Sequence, residues 1–206
     1  MYEKCKFITI IDTFKSTHTL KLLFGSNLTN ARIEDWRYIY QKICAKLGMK
    51  PGKIPHTYVD TYDYSLKGKY VVIVRGMVSD VWREKKDPGD EIYKHMVVRL
   101  QSKGYKLVFI GTDADYSRNI NRMERWVENK VVVLNDIKKS LGLLYNADFI
   151  ISNDTGMYHA AGALNKRIFV MWKDTLFKKN KSPGKNCIYS MKGNWKKDFE
   201  QWIKDK

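Results

Sequence analysis

From residue 70 onward the chain alternates short β-branched runs with stretches of helical period, and that rhythm leaves few folds open. Tyr70-Val-Val-Ile-Val74, Lys106-Leu-Val-Phe-Ile110, Val131 to Leu134, Asp148 to Ser152 and Ile168 to Trp172 read as strands. Between them, Asp90 to Lys103 (closed by Gly104), a segment around Ser117 to Glu128, Ile137 to Tyr145 and Gly156 to Leu164 read as helices. Near-continuous apolar strands joined through helices predict an α/β fold, a Rossmann-like parallel sheet with helices on both faces. A terminal helix is expected over Lys196 to Lys206, with Phe199, Trp202 and Ile203 on one side.

The first third of the chain breaks the rhythm. Phe7 to Ile11 reads as a lone strand, and Thr13 to Asn30 is polar and irregular. Ala31 to Leu47 places Ile33, Trp36, Tyr40, Ile43 and Leu47 three and four apart, an amphipathic helix with Gly48 where a C-terminal cap would sit. Pro51, Gly52 and Pro55 mark a connector within Lys50 to Gly68. Two parts are therefore expected: a reduced N-terminal segment over 1–67 and a ligand-binding domain over 68–206.

Charge narrows the partners. The formal net charge is +16, and Lys173 to Lys206 holds ten lysines against four acids. Such a surplus concentrates polyanions at the surface, whether nucleic acid, anionic membrane or anionic glycan. A solvated Lys-rich surface without such a partner has the same composition, so charge does not choose among them. Cys5, Cys44 and Cys187 are too few and too widely spaced for a disulfide framework or a zinc site. No apolar stretch reaches the length of a membrane span and the charged start does not resemble a secretory signal, so a cytoplasmic location is expected. A hydrophobic content of 44% argues for a packed core rather than disorder.

In a parallel sheet of this kind ligands bind beyond the carboxyl ends of the strands. Three polar loops are expected there: Arg75 to Pro88, Gly111 to Asp115 and Ser152 to Gly156. None carries a Walker motif or a GxGxxG, which weakens ATPase and dinucleotide readings. The third loop lies in Ile151-Ser-Asn-Asp-Thr-Gly-Met-Tyr-His159, followed by Ala-Ala-Gly-Ala-Leu-Asn-Lys166. Asp154 and Thr155 are good N-cap residues, and Gly156 lets another group approach the backbone closely. A buried strand feeding a helix start aims free N–H groups and the helix dipole at one point, which suits a phosphate or a sugar. An ordinary capped helix would have the same local pattern.

The order of these pieces resembles the donor-binding half of glycosyltransferase family 9, the heptosyltransferase-like enzymes of GT-B fold. The resemblance covers about residues 68 to 190. It rests on Val72-Ile-Val-Arg-Gly76, on Gly104-Tyr-Lys-Leu-Val-Phe-Ile-Gly111 and on the stretch from Leu134 to the Ala147-Asp148 step. Its most specific part is the Asn153-Asp-Thr-Gly-x-x-His159 motif with the following Ala-Ala and Lys166. The resemblance implies an inverting, metal-independent transferase whose donor is a nucleotide-activated sugar, with no further cofactor. Amide donors and cations would then stabilise the charge developing on the leaving diphosphate.

By the same resemblance Asp154 would bind donor hydroxyls or order the turn. Thr155 and Gly156 would meet the pyrophosphate, and His159 would face the donor. Gly76 and Gly111 would close the strand ends. Arg83, Lys85 and Lys86 lie where the family places a basic phosphate contact, in a register the sequence leaves open. Asp113-Ala-Asp115 has metal-motif spacing but stands in a loop the family does not use for metal, so no metal site is expected.

Departures bear on the acceptor. The family's whole N-terminal acceptor domain, with its catalytic aspartate, has only about 65 residues of counterpart here. Asp12 is the nearest stand-in for that base; His18, Asp80 and Asp87 are no better supported. Met171-Trp-Lys-Asp-Thr175 stands where the family has Phe-Gly-x-Thr, so contacts there are in doubt. The positive charge leans the acceptor toward a polyanion, with a hydroxylated base in viral (bacteriophage) DNA ahead of lipopolysaccharide core at the inner membrane surface. A split enzyme remains open, its other half supplied by a partner subunit or a second copy, as does a binding module without catalysis.

Overall fold

The computed structural model describes residues 63–76, 80–175 and 186–204. The chain divides into two units, Met1–Pro55 and His56–Lys206, and every described residue falls in the second. The strand expected over Phe7 to Ile11, the helix over Ala31 to Leu47, Asp12 and His18 lie outside the described residues.

Six strands make the sheet: β1 (Tyr70–Val74), β2 (Lys106–Gly111), β3 (Lys130–Leu134), β4 (Phe149–Asn153), β5 (Ile168–Trp172) and β6 (Cys187–Met191). Among the described residues the helices are α1 (Asp80–Lys86), α2 (Asp90–Ser102), α3 (113–126), α4 (Ile137–Asn146), α5 (Gly156–Ala163) and α6 (Trp195–Lys204). All neighbouring strands are parallel, in the order β3-β2-β1-β4-β5-β6; Val72 of β1 lies between Val108 of β2 and Ile150 of β4. Strand order reverses between β1 and β4, which opens a crevice at their carboxyl ends. This is the expected Rossmann-like fold. Among the described residues no helix is long and apolar enough to cross a membrane.

The pleat sends alternate side chains to two cores. On one face Val71, Ile73, Phe109, Phe149, Ile151 and Phe169 meet α2, α3 and α6. On the other, Val72, Val74, Ile110, Ile150 and Val170 meet α4 and α5 through Leu143, Leu144, Tyr158 and Ala161. Each fully buried aliphatic or aromatic side chain contributes about 1.5–3 kcal/mol, so β1, β4 and β5, buried along their whole length, anchor the domain. Helix periodicity follows the same logic: α2 buries Tyr93, Met96, Val97 and Leu100, and α6 buries Trp195, Phe199, Trp202 and Ile203. Gly104, at φ +80°, takes the left-handed step after α2 that a side chain would resist. Asp148 ties the crossover back to the sheet: Tyr70 N–H donates to its carboxylate at 3.0 Å, and its own N–H donates to Tyr70 O at 3.0 Å.

Three expectations need correction. The loop expected over Arg75 to Pro88 contains α1. The helix expected from Ser117 begins at Asp113, because Thr112 and Asp115 form a capping box: Thr112 Oγ1 accepts from Asp115 N–H at 3.2 Å while Asp115 Oδ2 accepts from Thr112 N–H at 2.9 Å. Aspartate in place of the usual glutamate hides that box in the sequence. A sixth strand, β6, was not expected. Its Ile188 and Met191 are exposed, so it lacks the apolar run that reveals β1 or β4.

Candidate functional site

The carboxyl ends of β1, β2, β3 and β4 surround a cleft of about 580 Å³ at the sheet's switch point. Ile110, Ile137 and Met157 give it apolar walls, and its polar groups are Lys86, Thr112, Asp115, Arg118, Asn135, Asp136, Ser140, Asp154 and Thr155. Gly76 and Gly156 supply bare backbone. At Gly76 an added Cβ would lie 3.4 Å from Thr155 Cγ2, so the β1 end and the β4 loop pack closely there. At Gly111 it would lie 2.9 Å from Ile120 Cδ1 and 3.0 Å from Asp115 Cβ, so a side chain would push α3 out of place. Gly156 is different, because an added Cβ would meet nothing within 4 Å. Its backbone is open to the cleft.

At the centre stands a charge pair. The Lys86 ammonium lies 3.0 Å from Asp154 Oδ2, and Asp154 is only 4% exposed. The same oxygen accepts from Thr175 Oγ1 at 2.9 Å, while Trp172 Nε1 donates to Thr175 O at 2.8 Å and holds that turn in place. Thr155 precedes α5 in extended conformation with no side-chain cap bond; its hydroxyl lies 3.4 Å from Ser152 Oγ. The first N–H groups of α5 thus meet no capping side chain, beside a lysine ammonium and an open glycine. Such a helix start favours an anion. Asn153 braces it, donating to Gly76 O at 3.1 Å and Lys86 O at 3.3 Å.

His159 lies one turn into α5, exposed, with its ring centroid 4.0 Å from that of Tyr158. Although the side chain reaches solvent, the groups packed around its ring desolvate it enough to lower its pKa below the ordinary 6.5; the Asp154 carboxylate opposes that shift and the Lys86 ammonium adds to it. Below 6.5 the unfolded chain then binds this proton more readily than the folded one, so stability is present above that pH and is lost as pH falls through the lowered value. Urea midpoints should climb slightly as pH rises toward about 7, less steeply in His159→Gln. Equal slopes would remove His159 as the source.

The residues singled out in the sequence sort clearly. Asp154, Thr155, Gly156, Gly76 and Gly111 line the cleft. His159 stands beside the Lys86–Asp154 pair without lining the cleft. Of the three basic residues, the structure brings in Lys86; Arg83 and Lys85 are solvent-exposed on the last turn of α1 and lie outside the lining. Asp87 is not aimed at the cleft; it is buried against the Arg75 guanidinium. Asp113 and Asp115 occupy a helix turn rather than a loop, and Asp115 Oδ2 is held by Thr112. Among the described residues no group of three or more His, Cys, Asp or Glu could hold a metal ion. Sequence reasoning missed Arg118, Asn135 and Asp136, and it left open the contacts at Thr175, whose hydroxyl bonds to Asp154. Asn135 carried the faintest signal, an asparagine ahead of a helix, and it adopts φ +55°.

Together the reversed strand order, the open helix start and the lysine–aspartate pair define a Rossmann-like domain with a polar cleft at the switch point of its sheet. The sequence profile of glycosyltransferase family 9 (heptosyltransferase) matches residues 46–201. The chain belongs to that family. Comparison with curated sequences gives no significant match.

Solved structures agree in fold. E. coli heptosyltransferase WaaC with ADP superposes with a TM-score of 0.63 at 16% identity, over 80% of this chain and 54% of WaaC. The family 9 glycosyltransferase of Veillonella parvula gives 0.52 at 15% identity, over 82% and 44%. The iron-containing dodecameric glycosyltransferase TibC of enterotoxigenic E. coli gives 0.53 at 20% identity, over 77% and 43%. The chain spans about half the length of the structures it matches.

Proposed function

We propose that the cleft binds a nucleoside-diphosphate sugar and that the domain is the donor half of an inverting glycosyltransferase. The observation that carries this reading is the Lys86 ammonium, 3.0 Å from a buried carboxylate and beside the open start of α5. Asp154 holds Lys86 in place, and the ammonium with the Thr155 and Gly156 backbone would meet the diphosphate. The charge that grows as the glycosidic bond breaks is then stabilised by groups already oriented. Ile110, Ile137 and Met157 suit the flat apolar body of a nucleoside, with Thr112 and Asp115 as polar contacts for hydroxyls. WaaC carries ADP in one structure, and TibC carries ADP-D-β-D-heptose in another; ADP-heptose is the first donor to try.

An acceptor hydroxyl would attack in line, its proton taken by a base on the acceptor side, for which Asp12 is the candidate. No metal is required by this scheme. Another similar structure is that of the E. coli ADP-heptose lps heptosyltransferase II, whose name supports an anionic glycan acceptor at the cytoplasmic membrane face. The net charge of +16 is the one observation favouring DNA instead.

Calorimetry with ADP, GDP, UDP and CDP tests the donor site; binding of none of them sinks the reading. Mass spectrometry of DNA and lipopolysaccharide from expressing cells, looking for an added sugar, decides between acceptors. Gly156→Ala gives a sharper check. With open space at that position the fold should keep its Tm, while the methyl enters the diphosphate's approach and weakens nucleotide binding about tenfold. Unchanged affinity would place the diphosphate elsewhere.

A further inference from the structure

The end of α1 is held from two directions. Three consecutive carbonyls there accept from donors at the ends of β4 and β5: Lys85 O from Asp174 N–H at 3.0 Å, Lys86 O from Asn153 Nδ2 at 3.3 Å, and Asp87 O from Lys173 Nζ at 3.2 Å. From the β1 side comes Arg75, 2% exposed, whose guanidinium forks onto Asp87 with Nε–Oδ1 at 2.9 Å and Nη2–Oδ2 at 2.8 Å. Its Nη1 reaches Asp90 Oδ1 at 2.6 Å, and its Cζ sits 4.7 Å from the centroid of Tyr93. Burial works against the charge of Arg75, but the Asp87 hydrogen bonds and carboxylate field outweigh it and raise its pKa.

A helix end near the surface can be satisfied by water alone. A buried ion pair, moreover, is weak grounds for stability, since packed apolar residues often serve as well. The fork is placed where it matters for the cleft. Arg75 directly precedes Gly76, Asp87 directly follows Lys86, and two parallel bonds fix both the position and the rotation of the last turn of α1. We propose that Arg75 is a positioning residue that, through Asp87, sets the Lys86 ammonium at the diphosphate site. This inference rests on the reading of the cleft given above. Arg75 does not line the cleft; it determines where Lys86 stands before a ligand arrives, so that binding does not have to order it.

A double-mutant cycle tests the proposal. Arg75→Met with Asp87→Asn removes both partners and leaves no buried charge unpaired. Affinity for whichever of ADP, GDP, UDP and CDP binds the native chain best is measured by calorimetry, with and without Lys86→Met, alongside thermal melts. With Lys86 present the paired variant should bind about tenfold more weakly. In the Lys86→Met background it should cost nothing more, while the drop in Tm is the same in both backgrounds. Equal weakening in both backgrounds, or none with Lys86 present, overturns the proposal and leaves the cleft's assignment standing. A native chain that binds none of the four nucleotides overturns both. Should the paired variant fail to fold, Asp87→Asn alone, with Arg75 still bonded to Asp90, enters the same cycle and is read the same way.

Discussion

Replacing Lys86 with methionine lowers affinity for a nucleoside diphosphate by about thirtyfold, or ~2 kcal/mol, the range for a hydrogen bond to a charged group. Methionine keeps most of the aliphatic stem, so the loss is that of the ammonium. The substitution also removes the cation beside Asp154, which keeps Thr175 as a donor. His159 reports the change independently: Lys86 helps to lower its pKa, so in Lys86→Met the imidazole should titrate at higher pH. Calorimetry gives the first result and NMR titration of the ring the second. An affinity within about threefold of native would show that Lys86 is not the ligand's cation.

Arg75→Met alone should cost about 3–5 kcal/mol of unfolding free energy, the range for a buried ion pair that loses one partner. Asp87 would remain as a buried carboxylate, with Gly89 N–H at 3.2 Å in place of a guanidinium fork. Asp90 would keep Arg122, whose Nε lies at 3.2 Å. Its pKa is lowered because the Arg75 and Arg122 contacts outweigh partial burial, so it should rise in the variant without becoming an orphan. Urea denaturation of Arg75→Met against the Arg75→Met, Asp87→Asn pair makes the comparison. The pair should recover a substantial part of the loss; equal losses would show that an uncompensated carboxylate is not the cause.

The readability of the chain follows the range of the interactions. Strands β1, β4 and β5 were legible because burial on both faces leaves uninterrupted apolar runs, and α2 because one face repeats at helical spacing. The α5 start was legible through Asn153-Asp-Thr-Gly156, where local backbone chemistry and the site coincide. The basic contact was legible only as a group. Arg83, Lys85 and Lys86 are equal on paper, and which one enters the cleft depends on the rotation of α1, set by Asn153, Lys173, Asp174 and Arg75 from other elements. Arg75 itself gave no signal, since an arginine after a strand is ordinary until its partners twelve and fifteen residues on are known to return to it. Edge strand β6 was invisible for the opposite reason, being too little buried to need apolar residues.

The central place of β1 has a consequence for how the chain is made. Its hydrogen-bonded neighbours are β2 and β4, and the contact that seats its first residue joins Tyr70 to Asp148, 78 residues away. During synthesis the five apolar residues of β1 leave the ribosome long before β4 exists to cover one of their edges. Pairings of such separation slow folding, and an uncovered strand edge of this composition invites pairing with other chains. The nascent protein therefore carries, in a strand that the finished sheet covers on both edges, a transient site for pairing with other chains, and folding helpers should matter between the emergence of β1 and that of β4.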